Sequence, residues 1–311
     1  MRQLSLLSSM LSSAATRSLC APAFLLVDFD GTCTVEETTP LLPHLAASLG
    51  PSDLAASKLE RFAQLEKEYL AGLADISQAL DLNGSPYEGF DSDGLTACLQ
   101  AMDHHSSEVT LRVGESACLA GIRDDDVTTT LARWRDRTQD APIIPSPLRP
   151  GCVDTLASLA DKGVALGVLS VNWCPALIHS ILGEELRKPY EIWCNELLYD
   201  GKIHLHVPGA AEKRERVTEL LKRTEGKGSV VYIGDSATDL LALLEADVGI
   251  LIGESRSVRS IARKFGVELQ PLPQSLIELG TNSIFVASSW KEIHTCLEQA
   301  MLHDHLEPTR E

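Results

Sequence analysis

Four short apolar runs, each about the length of one strand, recur along a chain of 311 residues, with helical patterns between them. They fall at 24–28, 164–169, 229–233 and 248–252. None alternates polar with apolar residues, as a half-exposed strand would, so each reads as a strand covered on both faces. Helical spacing occupies 150–162, 175–182, 212–223, 237–246 and 257–265. Strands alternating with helices predict an α/β fold built on a doubly wound parallel sheet.

More than a hundred residues separate the first run from the second. Leu59, Phe62, Leu65, Tyr69 and Leu73 recur there at intervals of three and four, which predicts a helix with one buried stripe. A second helix is expected over 127–137, with Asp124, Asp125 and Asp126 as its dipole-favoured first turn. The chain therefore divides into a sheet core at 22–37 and 146–300 and a helical cap at 38–145. Pro142, Pro145, Pro147 and Pro150 mark the return, and 301–311 is expected to be a tail. A hairpin is expected over 196–206, turning at Asp200-Gly201. His204 and His206 share one face of its second strand, but no third ligand is in view, so they read as ordinary surface or core side chains.

Charge sets a condition on function. Forty-four Asp and Glu against 27 Lys and Arg leave a formal charge of −17. That balance opposes nucleic acid and anionic membrane surfaces. It also opposes a phosphorylated substrate, so a phosphate site in this chain requires a local cation and a metal. No apolar run approaches the roughly 18 to 20 residues of a membrane-spanning helix. The eight cysteines, at 20, 33, 98, 118, 152, 174, 194 and 296, show no paired or zinc-like spacing and are expected as buried thiols in a reducing compartment. Residues 1–21 carry Arg2, Arg17 and many serines, and the first acidic residue is Asp28. They read as a transit peptide, with a disordered tail as the alternative. The expected location is mitochondrial, with plastid or cytosol as alternatives.

The first run ends on Asp28-Phe-Asp30-Gly31-Thr32. Two carboxylates one residue apart at a strand end can reach a single centre; in one of several possible chemistries the first attacks phosphorus and the second manages protons. Ser170 ends the second run. Lys213 begins a helix and supplies the required cation. Gly234-Asp235 ends the third run, and Asp239 follows Asp235 by about one helical turn. Ligands of open α/β sheets bind at such carboxyl ends.

This order of motifs resembles the haloacid dehalogenase superfamily: D-x-D-x-T, a Ser or Thr after a strand, a Lys, then G-D-x-x-x-D. The resemblance implies a Rossmann-type core and a phosphatase. It implies Asp28 as nucleophile, Asp30 as general acid and base, and Ser170 and Lys213 as phosphate ligands. Mg²⁺ would be held by Asp28, the carbonyl of Asp30 and Asp235, with Asp239 supporting or joining that shell. The second acid, Asp30, speaks against a dehalogenase and leaves a phosphomutase open. Over about residues 22–298, the segments 231–250, 265–267 and 287–294, with Gly114-Glu115-Ser116, are similar to the phosphatase half of bifunctional plant thiamin-salvage proteins. That similarity implies a small-molecule phosphate ester, thiamin monophosphate, as substrate. The thiaminase-like domain of those proteins is absent from this sequence. Glu36, Glu37 and Trp173 follow the first two motifs and are candidates for contacting the cationic leaving group. The alternatives are a phosphatase for a nucleotide or pyridoxal phosphate, and a regulatory protein without catalysis.

Overall fold

The computed structural model describes residues 21–136, 147–273 and 282–304. Residues 1–20 of the expected leader (1–21), Pro142 and Pro145 of the return, and 305–311 of the tail lie outside these residues. The first apolar run is β1 (Pro22–Val27), almost wholly buried. Four helices follow it: α1 (Leu41–Leu49), α2 (Ser52–Ala79), α3 (Ser92–Glu115) and α4 (Asp124–Asp136). Asp124, Asp125 and Asp126 form the first turn of α4, as their charge suits. The chain returns through α5 (Cys152–Asp161) to β2 (Ala165–Leu169). Next come α6 (Pro175–Ile178), a π turn (His179–Gly183), α7 (Glu184–Leu186) and β3 (Glu191–Trp193). The hairpin strands are β4 (Glu196–Leu197) and β5 (Ile203–His204). Then follow α8 (Ala210–Arg223), β6 (Ser229–Gly234), α9 (Leu240–Glu245), β7 (Val248–Ile252) and α10 (Arg256–Phe265). The described chain closes with β8 (Glu268–Pro271), β9 (Ser283–Ala287) and α11 (Trp290–Asp304).

Seven strands pair in the order β3-β2-β1-β6-β7-β9-β8, every pair parallel. Side chains of β1 alternate between two apolar layers. Leu25 and Val27 join Leu41 and Leu45 of α1, Leu156 of α5 and Trp290 of α11. Phe24 and Leu26 join Leu95 and Leu99 of α3, Val217 of α8 and Ile261 of α10. The doubly wound parallel sheet is therefore as expected. Three of its strands were not. β3 is only three residues long, β8 is an exposed edge ending in a proline, and β9 carries small residues at both ends. α11 also continues through residue 304, where a tail was expected to begin at 301. Among the described residues no helix is long and apolar enough to cross a membrane. Seven described cysteines are buried and unpaired.

Among the contacts that tie the helices between β1 and β2 to the rest of the fold, two are made by backbone. Thr34 and Leu148 bridge antiparallel where the chain leaves and re-enters. At the far end, the hairpin packs on the C-terminal turn of α3. A Cβ on Gly114 would stand 3.2 Å from both the Lys202 Cα and the Ile203 amide nitrogen, so glycine is what allows the hairpin this close. The Gly121 amide donates to the carbonyl of Tyr199 at 2.8 Å.

Candidate active site

The strand order reverses beside β1, and loops leaving adjacent strands diverge there to leave a crevice. Val27 is level with Val168 on one side and Ile233 on the other. Asp28, Ser170 and Asp235, each just past its strand, therefore meet at one edge. Gly31 takes φ +72° to turn the chain over, and a Cβ there would overlap the Asp235 carboxylate. The loop is held from outside. The Arg149 Nε donates to the Gly31 carbonyl at 2.7 Å and the Trp290 Nε1 to that of Thr32 at 2.9 Å. Thr32 Oγ1 donates to Asp235 Oδ1 at 2.8 Å, so the first motif orients the last.

Lys213, in the first turn of α8, is fully buried, with Nζ 2.8 Å from Asp28 Oδ1 and 2.7 Å from Asp239 Oδ1. Burial works against its charge, but Asp239 and Asp28 more than offset this and hold it above the usual lysine range. Asp239 is also buried, which would raise its pKa. The Lys213 charge and hydrogen bonds from Lys213, Tyr232 and Ser236 hold it below the ordinary carboxylate value. Its Oδ1 accepts from Lys213 and, at 2.6 Å, from the Tyr232 hydroxyl. Its Oδ2 accepts from the Asp235 amide, the Ser236 amide and Ser236 Oγ. Five donors leave Asp239 poorly placed to ligate a metal as well, although one of its oxygens lies within 4.8 Å of one oxygen each of Asp28 and Asp235.

Asp28 and Asp235 lack that compensation. Burial, which the Lys213 charge offsets only in part and the Asp239 charge reinforces, pushes Asp28 up to about 7. Burial and then the charges of Asp28 and Asp239 push Asp235 up to about 8. Lys213 takes one oxygen of Asp28 and Thr32 one of Asp235, and among the described residues nothing donates to the second oxygen of either. A crowded set of hard oxygen donors short of positive charge fits Mg²⁺.

A pH dependence follows for the metal-free chain. Both carboxyls sit above their ordinary 3.8, so the folded state holds these protons more tightly than the unfolded chain does. Their contribution to stability is complete below about pH 4 and is lost as pH rises through about 7 and 8. A bound cation reverses that loss. The expected result is a larger rise in melting temperature on adding Mg²⁺ at about pH 8 than at about pH 6. Equal rises at both would place the cation elsewhere.

Asp30 is held by residues that the sequence reading did not single out. The Thr38 amide and Oγ1 donate to Asp30 Oδ1 at 2.7 and 2.6 Å, and Asn172 Nδ2 donates to Oδ2 at 2.7 Å. Burial raises the Asp30 pKa against these hydrogen bonds. Asn172 is also tied to Ser170, its amide donating to Ser170 Oγ at 3.2 Å. The only sequence signal for Asn172 is its place two residues past Ser170 in a strand-end turn.

Of the three leaving-group candidates, Glu37 is the one whose carboxyl is raised. Its residue surface is exposed, while desolvation by the protein around the carboxyl and then the charges of Asp30 and Asp28 push its pKa up to about 8. Glu36 lies on the exposed stretch beside it, its carbonyl accepting from Thr34 Oγ1 at 2.7 Å. Trp173 is half-buried and meets Phe62 of α2 edge-on at 6.4 Å.

The doubly wound parallel sheet, with Asp28, Lys213, Asp235 and Asp239 gathered at one strand-end edge, is the arrangement that the resemblance in the motifs implies. More particularly, the chain is similar to the Bifunctional TH2 protein, mitochondrial, of Arabidopsis thaliana, with 26% identity over 308 residues, covering 86% of this chain and 48% of that protein. The chain thus spans about half the length of that relative. Among solved structures, a phospho-aspartyl intermediate analogue of phosphoserine phosphatase superposes with a TM-score of 0.46 and 17% identity, covering 78% of this chain and 91% of that one. A HAD family hydrolase from Salmonella enterica serovar Typhi gives 0.44 and 17%, covering 78% and 66%. No family model matches the chain.

Proposed function

We propose that the chain is a Mg²⁺-dependent phosphoric monoester hydrolase acting through an aspartyl-phosphate, with thiamin monophosphate as its substrate. The observation that carries the reaction class is the convergence of Asp28, Asp30, Asp235 and Lys213, from three separate segments, at the edge of β1 and β6. An Asp28 oxygen attacks phosphorus as the bond to the leaving alcohol oxygen breaks, and Asp30 gives that oxygen its proton. Asp30 then takes a proton from the water that attacks the aspartyl-phosphate, which releases phosphate and restores the Asp28 carboxylate. Ser170 and Lys213 bind the equatorial oxygens, where charge spreads in the transition state. Asp28, Asp235 and the Asp30 carbonyl would hold Mg²⁺, which supplies further positive charge to those oxygens. Asp239 braces Lys213.

The substrate rests on the likeness to the thiamin-salvage proteins, with Trp173, three residues past Ser170, as the candidate aromatic face for a cationic ring and Glu37 as a candidate neighbour. The expected kcat/KM for thiamin monophosphate is at least about tenfold above that for pyrimidine nucleotides or pyridoxal phosphate, about 1.4 kcal/mol in transition-state binding. Side-by-side phosphate-release assays measure the ratio. A nucleotide or pyridoxal phosphate as the better substrate would end the thiamin reading and leave the phosphatase standing. The mitochondrial name of the relative and the acid-free first twenty residues support delivery to mitochondria. A reporter fused behind residues 1–30 that stays in the cytosol would remove that part.

A further inference from the structure

The hairpin holds a second cluster of ligand-type side chains, outside the crevice. Glu196 of β4 is in direct register with His204 of β5, so their side chains leave the same face. His206, two residues further on, projects from that face too. Glu196 Oε2 lies 4.0 Å from His204 Nδ1 and 3.7 Å from His206 Nε2. The two imidazole rings stand perpendicular, 6.3 Å apart. All three ligand atoms fall within 4.8 Å of one another.

We infer that this hairpin carries a divalent transition-metal site, with Zn²⁺ as its ion and His204, His206 and Glu196 as its protein ligands. Tetrahedral Zn²⁺ with bonds of about 2.0–2.2 Å brings ligand atoms to about 3.3 Å from each other. The present spacings close to that by side-chain rotation, and the three side chains, 54–59% exposed, have room to rotate. Three protein ligands leave a fourth position for water.

The backbone under the site is already fixed. The Asn195 Oδ1 accepts from the His206 and Val207 amides at 2.8 Å each, and its Nδ2 donates to the Val171 and Val207 carbonyls. The Leu197 amide donates to the Trp173 carbonyl at 2.7 Å. The ligands therefore stand on strands pinned to the loop that follows Ser170, and a metal has only side chains to order.

Donor type separates the two centres. Mg²⁺ demands oxygen ligands near an octahedron and is poorly served by two imidazoles, whereas imidazole nitrogen suits Zn²⁺. The crevice carboxylates are the reverse case. The hairpin site accordingly neither replaces the Mg²⁺ centre nor depends on it.

The test is a Zn²⁺ titration by calorimetry of the full chain, free of any histidine tag, washed with chelator and then kept in saturating Mg²⁺. The expected result is one Zn²⁺ per chain, weakened by at least about tenfold in a His204→Ala/His206→Ala double variant and unchanged in Asp28→Asn. Co²⁺ in place of Zn²⁺ should give the visible absorption of a four-coordinate ion, lost in the same double variant. These positions are exposed, so the variant should keep its Mg²⁺-dependent melting temperature, which checks that it folds. No Zn²⁺ uptake by the parent chain, or uptake equal in the double variant, overturns the proposal and leaves the cluster a carboxylate–imidazole contact. Zn²⁺ uptake lost in Asp28→Asn but kept in the double variant overturns it as well, by placing the ion in the crevice.

Discussion

Asp28→Asn lowers kcat by at least about 10³-fold, the scale seen when one member of a catalytic unit is removed. The substitution keeps the shape of the side chain and an acceptor for Lys213 Nζ, which lies 2.8 Å from Asp28 Oδ1. It removes the attacking charge and one oxygen for the cation. Stability should move the other way. A buried carboxyl raised to about 7 is an unfavourable charge in the metal-free fold, and its loss also relieves Asp235. The chelated variant should therefore melt no lower than the parent above about pH 7 and gain less from Mg²⁺. Single-turnover and melting measurements on one preparation check both parts. Near-normal turnover would sink the nucleophile assignment.

Asp30→Asn separates proton transfer from attack. Acid–base help is commonly worth roughly 10² to 10⁴ in rate. The loss should reach that scale for an alkyl phosphate, whose leaving oxygen needs the proton. It should be much smaller for p-nitrophenyl phosphate, whose phenolate leaves unaided. Asn172→Ala should show the same dependence on leaving group in weaker form, because Asn172 Nδ2 holds Asp30 Oδ2 at 2.7 Å. Equal losses on both substrates would contradict the acid role.

What could be read from the sequence followed burial and adjacency along the chain. β1, β2, β6 and β7 are continuous apolar runs because each is covered on both faces, and their ends point directly to Asp28, Ser170 and Asp235. β3 and β8 lie at the sheet edges, where half-exposed residues break that signature. Partnerships across the fold were not readable. The grip on Asp30 joins Thr38, beside the first crossing of the chain, to Asn172, 134 residues later. Tyr232 looked like one more strand residue, yet its hydroxyl is spent on Asp239. His204 and His206 were visible as a pair, but their third partner required the register across the Asp200-Gly201 turn, which sets Glu196 opposite His204.

Gly209, which precedes α8, caps nothing with a side chain, and the cap of that helix comes from α3 instead. Asp103 Oδ2 accepts from the Ala210 amide at 2.9 Å, and burial of this acid lifts its pKa to about 6 despite those backbone donors. The helix that presents Lys213 thus starts on a residue from the inserted segment. Anyone exchanging that segment for one from a similar protein would also uncap α8. At about 0.5–2 kcal/mol for a lost cap, the chimera would lose stability at the helix bearing Lys213. A graft that retains Asp103, or supplies Ser or Asp at 209, avoids that loss. The inserted segment and the helix that carries Lys213 are therefore not separately exchangeable parts.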